Sequence, residues 1–499
     1  MNRRRAQGSP PILFLSLFYC VCYEFWAKEG IFMLAYQICI LLTSYNQQMK
    51  ARFSLLAALM LAGIAAQAQN PIIRDQFSAD PSALVVGDRV YVFPSHDIKA
   101  PAEYARKDWF CMADYHVFSS ANLTDWTDHG MIVDQWSAPW VNEKGYSMWA
   151  PDCKQNPTNG KYYFFFPAGA KPQPSANGRR GMGGNRVGIC TADYPEGPYT
   201  PEATPIEGVG GIDPCIFVDD DGTGYLVMPG ITITKLNPDW MSVSTDPADR
   251  HRVEGVPTKG LVEGPYLYKH GGKYYMTFPW ARDVEEVLAY CVADNIFGPY
   301  EFKGVFFEEH ANKCWTNHHS IIEFKGQTYL FYHHNEYSPE FDKNRSVCAD
   351  SIFFDDEKGE IKMVKPTLRG IGVTQSNTQI QLDRYTSLSA SGDSIAYLEP
   401  SNYFAGWKTV FYEKGAWAQY NTVEFKKAPK TVSVKVVAPS AGKLEILQDD
   451  KVIATVDVPA DRQMVMVDAP VKGAAKGIHH LKVRMATEGK IQVDWLTFK

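Results

Sequence analysis

Three carboxylates sit beside proline in this chain, as Asp80-Pro81, Asp213-Pro214 and Glu263-Gly264-Pro265. Proline fixes the backbone at a strand entry and removes a competing donor, so each acid is presented from a stiff corner. Two carboxyl groups on opposite sides of one bond, one protonated and one ionised, are what glycoside hydrolysis needs. Asp80 and Glu263 are the candidates for that pair. Asp213, kept ionised, would raise the pKa of Glu263 by like-charge repulsion. Any one Asp-Pro taken alone reads as an ordinary turn carboxylate. Their common setting in a repeat is what points to chemistry.

That repeat is a polar residue, a short strand, a turn glycine and an aromatic strand. Asp80 leads through Gly87 into Val90–Phe93, and Asp152 through Gly160 into Tyr162–Phe166. Asp213 leads through Gly222 into Tyr225–Met228, Glu263 through Gly272 into Tyr274–Phe278, and His318 through Gly326 into Tyr329–Tyr332. Units of this length with several strands each predict β-propeller blades. Wheeled around an axis, equivalent positions of five blades meet at its mouth. The expected fold is therefore all-β, with a five-bladed β-propeller over 69–373. Residues 171–186, rich in Gly, Arg and Pro, interrupt the pattern and read as an insertion at the pocket rim.

Beyond about 374 the pattern becomes a strict alternation, as in Thr431-Val-Ser-Val-Lys-Val-Val and Lys451-Val-Ile-Ala-Thr-Val-Asp-Val. Half-buried antiparallel strands have this period, so 374–499 reads as a separate, jelly-roll-like β-sandwich, with 374–401 as linker and first strand. Ahead of the propeller, Lys50 and Arg52 precede an apolar run from Phe53 and a small-x-small site, Ala66-Gln67-Ala68. This is the order of a signal peptide over 49–68, which leaves 1–48 as a spurious extension and predicts an exported protein with no membrane span in its mature form. A net charge of −6 without a basic stripe argues against nucleic acid. The seven cysteines from Cys111 to Cys348 show no disulfide or zinc spacing; they read as buried small hydrophobes with at most one pair bridged.

Five stretches taken in order, Ala79-Asp80-Pro81-Ser82, Trp149-Ala150-Pro151-Asp152, Ile212-Asp213-Pro214, Glu263-Gly264-Pro265 and His318-His319-Ser320, resemble the motifs of glycoside hydrolase family 43. The resemblance spans about 70–370. It implies Asp80 as the general base on water, Glu263 as the general acid, and Asp213 as the group that tunes and orients it. It also implies that His318 meets a hydrated calcium ion near the axis through water, and that His96, Trp149, Arg345 and His319 contact the sugar, with no organic cofactor. The implied activity is inverting release of terminal arabinofuranosyl or xylosyl units from plant cell-wall polysaccharide fragments by a monomer. A galactofuranosidase, a non-catalytic glycan-binding propeller and a propeller phosphorylase are the alternatives; the last needs basic residues beside the acid. Gly415-Ala-Trp417-Ala-Gln-Tyr420 and the closing Val493-Asp494-Trp495 resemble carbohydrate-binding module family 6. Ala460–Gln463 and Gln492 depart from that module's binding elements, so a brace for the propeller stands beside glycan binding as its role.

Overall fold

The computed structural model describes residues 70–172, 184–282, 286–308, 314–338 and 341–499. The expected signal peptide at 49–68, the extension 1–48 and most of the rim insertion lie outside these residues. Blade 1 is a four-stranded antiparallel sheet, Ser78–Val86, Arg89–Asp97, Met112–Ser120 and Thr127–Asp134. Blade 2 repeats this with Asp152–Gln155, Tyr162–Gly169, Asn185–Ala192 and Thr200–Pro201, and blade 3 runs from Cys215–Val218 to Arg250–Arg252. In blade 4 the inner strand is broken: Leu261–Val262 and Tyr266–His270 both pair with Lys273–Ala281, and Glu263–Pro265 lie in the gap. Blade 5 has Ser320–Phe324, Gln327–His334 and Ser346–Ile352.

Each inner strand touches the next, and that of blade 5 returns to blade 1, so the wheel is closed. The start of the described chain seals it: the Ile72 amide donates to the Val347 carbonyl at 2.8 Å, along the free edge of blade 5. All five turn glycines have positive φ, from 60° at Gly87 to 85° at Gly222. A Cβ at four of them, 87, 160, 272 and 326, would meet nothing within 4 Å, so backbone conformation alone demands glycine there. Second strands are buried on both faces, as in Tyr162–Ala168. Aromatic rings pack between blades, with Phe93 and Phe164 at 5.9 Å.

The C-terminal sandwich has two six-stranded sheets whose alternation largely matches the sequence: Val432, Val434 and Val436 are buried while Thr431, Lys435 and Val437 are partly open, with Ser433 buried as the exception. Residues 374–401 do more than link, since Thr374–Gln375, Ile380–Gln381, Ser387–Leu388 and Asp393–Glu399 all pair into the sheets. Arg369 locks the junction, its guanidinium donating to the carbonyls of Asn421 and Gly372 and to the Thr422 hydroxyl at 2.7–3.0 Å. The seven cysteines of the described residues are free and buried.

Candidate active site

At the head of the inner strands the chain adopts a conformation that costs energy. Asp80 has φ 49° and Asp213 φ 54°, each directly before proline, where the left-handed region is disfavoured. In blade 4 the equivalent residue is Gly264, φ 47°, also before proline. Glu263 therefore lies one residue earlier than the register shared by the two aspartates, and its longer side chain spans the difference. The strained corners aim all three acids into one cavity of about 260 Å³. Trp149, His318 and Arg345 also line it, together with Trp109, Phe110 and Trp315.

Arg345 is 1% exposed and holds Asp80 with a fork, Nη1 to Oδ1 at 2.9 Å and Nη2 to Oδ2 at 3.3 Å. The Ser95 hydroxyl donates to Asp80 Oδ2 at 2.6 Å. Asp97 fixes the arginine from behind, accepting Nε and Nη2 at 3.0 Å each. Three donors thus converge on one buried carboxylate and fix its orientation.

The opposite wall is built otherwise. Asp213, 6% exposed, accepts from the Gly264 amide at 3.3 Å. Burial pushes its carboxyl well above the ordinary range, and the charges of Glu263 and Asp80 push it further. Glu263 is raised too, first by burial and then by Asp80, while a hydrogen bond with Glu286 and the Arg345 charge pull it back. Both carboxyls are thus raised, and the charge of Glu263 is part of what raises Asp213, so the two titrations are coupled. Beside the expectation of an ionised Asp213 acting on a neutral Glu263, the structure shows Asp213 to be the more deeply buried of the two, with its carboxyl pushed up as well.

Two expected contacts are not made. His96 does not line the cavity; its Nδ1 pairs with Asp114 at 2.7 Å, on the other face of the strand whose Ser95 and Asp97 point inward. His319 lies in the core, 1% exposed, with Nε2 at 2.7 Å from the Thr277 hydroxyl and its ring against Tyr266 and Phe306. Strand alternation makes 95 and 97 exclude 96, and His319, just ahead of the Ser320–Phe324 strand, turns into the core while His318 lines the cavity. That period was the signal available for Ser95 and Asp97. Glu286 and Thr316 had none. The Thr316 amide donates to Glu286, and the Thr316 hydroxyl accepts from Arg345 at 2.9 Å, so one residue ties the Glu263 wall to the Asp80 wall.

The expected calcium ligand, His318, packs its ring against Gly264 in the cavity wall. Burial lowers its pKa, leaving it neutral. Calcium takes six to eight oxygen ligands. Among the described residues, the group of three carboxylate or imidazole ligands that converge is His96, Asp114 and His116 on blade 1, away from His318. Among the described residues no such group converges on His318, so the chain itself supplies no carboxylate shell for calcium there.

Comparison with known proteins agrees with this geometry. The chain is 32% identical to a xylosidase/arabinosidase of Humicola insolens over 346 residues, 59% of this chain and 99% of that one. It is 27% identical to an arabinoxylan arabinofuranohydrolase of Paenibacillus polymyxa over 478 residues, 83% of this chain and 71% of that protein. A solved β-xylosidase/α-arabinofuranosidase from a compost microbial metagenome, in complex with xylotriose, superposes with a TM-score of 0.51 at 28% identity, over 60% of this chain and 98% of that one. Residues 388–499 match the model of carbohydrate binding module family 6. Residues 68–358 match the model for glycosyl hydrolases family 43, and with its strained carboxylates around one cavity the chain belongs to that family.

Proposed function

We propose that this protein is an inverting, exo-acting glycosidase that releases terminal α-L-arabinofuranosyl or β-D-xylosyl units from plant cell-wall polysaccharide fragments. The observation that carries the reading is the unequal treatment of facing carboxyls: Asp80 is forked by Arg345, whereas Glu263 is held in a half-buried site that raises its pKa. Asp80 takes a proton from water as the water oxygen bonds to the anomeric carbon. The glycosidic bond breaks at the same time, and Glu263 gives its proton to the leaving oxygen. Asp213 shares and orients that proton. Trp149 offers a ring face to the sugar, and Trp109 and Trp315, whose rings meet edge to face at 6.3 Å, wall one side of the cavity.

A phosphorylase reading is not favoured, because among the described lining residues Arg345 is the one Lys or Arg and its N–H groups are committed to Asp80, Asp97 and Thr316. A non-catalytic propeller would have no use for the two unequal walls.

The test is release of sugar from nitrophenyl α-L-arabinofuranoside, β-D-xyloside and β-D-galactofuranoside and from arabinoxylan fragments, with the first-formed anomer read by NMR. Asp80→Asn and Glu263→Gln are expected to lose roughly 10²–10⁴-fold in kcat on the natural fragments. Retention of activity in both, or a product of retained configuration, would sink the proposal. The same protein is proposed to be exported as a monomer after cleavage behind Ala68, which N-terminal sequencing and sedimentation of the secreted material would check.

A further inference from the structure

Residues 152 and 154 are alternate positions of the blade 2 inner strand and so face the same way, toward the other inner strands. Asp152 sits where three blades meet: its Oδ1 accepts from the Ser82 hydroxyl of blade 1 at 2.5 Å, and its Oδ2 accepts from the Ile216 amide of blade 3 at 2.6 Å. The ammonium of Lys154 folds back to donate to Asp152 Oδ1 at 2.7 Å. It stands 5.6 Å from the centre of the Tyr266 ring of blade 4, whose hydroxyl in turn donates to the Ile321 carbonyl of blade 5 at 2.9 Å. The cation thus reaches from blade 2 across to the non-adjacent blade 4, between Asp152, which also ties in blades 1 and 3, and Tyr266, which ties in blade 5; this places it at the axis.

We propose that Lys154 is an internal counter-ion that takes the place of a divalent cation at the propeller axis, so that this chain folds and works without calcium. A metal ion bound to Asp152 would have to sit where the ammonium now sits, and the two positive charges exclude one another. The groups facing Lys154 are consistent with a permanent charge. Burial opposes its charge, but Asp152 outweighs that and raises the ammonium's pKa, while burial pushes the neighbouring Cys215 thiol up to about 12, leaving it neutral. The Tyr266 phenol is held neutral in the same way, its pKa raised by burial against the pull of Lys154. Among the described residues Asp152 is the carboxylate that pairs with the ammonium, and burial lowers the pKa of His318, which also feels Asp152.

The experiment is thermal unfolding of the purified protein in EDTA and in millimolar calcium chloride, with a calorimetric calcium titration beside it. The wild-type Tm is expected to be the same in both buffers, with no calcium binding that His318→Ala removes. Lys154→Met is expected to unfold at lower temperature, and its Tm to rise with added calcium as the ion takes up the vacated charge. Lys154→Arg, which keeps the cation, is expected to stay indifferent to calcium. A wild-type Tm that falls in EDTA and recovers with calcium would overturn the inference, as would a folded Lys154→Met that ignores calcium. Should Lys154→Met fail to fold in either buffer, the wild-type comparison decides alone. Since the readout is stability, its failure leaves the glycosidase reading untouched, and the loss of that reading would leave this one standing.

Discussion

At the residue scale the site depends on an asymmetry between two buried acids, and the asymmetry is made by donors. Arg345 spends its guanidinium on Asp80, Asp97 and Thr316, a planar pattern that an ammonium cannot copy. Arg345→Lys is therefore expected to lower kcat/KM by roughly 10²-fold or more through misplacement of Asp80, with substrate affinity less affected. Steady-state kinetics on the folded variant would show it, and a change confined to KM would argue against. On the other wall, the basic limb of the pH–rate profile reports loss of the last proton from the Asp213–Glu263 pair. That proton is held by burial and by repulsion between the two anions its departure would create. In Asp213→Asn the repulsion is gone whichever member kept the proton, so the limb is expected to move to lower pH. A limb that stays in place would show that the two carboxyls titrate independently.

At the scale of the element, function rests on corners rather than on strands. The blade 4 inner strand is interrupted at Glu263–Pro265, which frees Glu263 from the ladder and lets it enter the cavity. Gly264 makes the interruption possible: its φ is 47°, and a Cβ there would lie 2.7 Å from His318 Nδ1. Gly264→Ala adds a left-handed penalty of about 1–2 kcal/mol and forces His318 and the Glu263 corner apart. The expected outcome is a modest fall in Tm with a disproportionate loss of kcat, measured on the same preparation. A variant that loses stability but keeps full turnover would show that the corner does not place the acid. Asp80 and Asp213 bear the same conformation with a side chain, and their strain is held by the closed wheel.

At the scale of the whole molecule, propeller and sandwich are joined by buried cations. Arg369 is 1% exposed and satisfies carbonyls on both sides of the junction, and the Arg384 guanidinium donates to the Asn70 carbonyl at 2.7 Å while lying over the Tyr337 ring. Asn70 begins the segment that seals blade 5, so the sandwich braces the seam where the wheel closes. Arg369→Ala removes the donor to the Asn421 carbonyl and to that of buried Ile371, at about 1–3 kcal/mol for a buried acceptor left unpaired. It is expected to lower stability markedly in denaturant unfolding without altering the pH profile of the enzyme that remains folded. Arg384→Ala is expected to speed amide hydrogen exchange at 70–73 and 346–352 relative to blades 2 and 3. Equal protection in all blades would remove the brace.

The linear chain already contained the order of the acids, five turn glycines that only positive φ explains, and the change from interrupted aromatic strands to strict alternation after 374. These are properties of neighbours along the backbone, and periodicity records them. It could not record which side chains meet across the wheel. Asp80 and its arginine are 265 residues apart; Glu286 and Thr316 had no motif of their own, and His96 was a more conspicuous residue than the Ser95 and Asp97 that flank it. Tertiary structure also decided where protons and charges reside. The raised carboxyls of Asp213 and Glu263 and the ammonium of Lys154 at the axis follow from burial and from blades brought together by closure, and neither exists until the ring is shut.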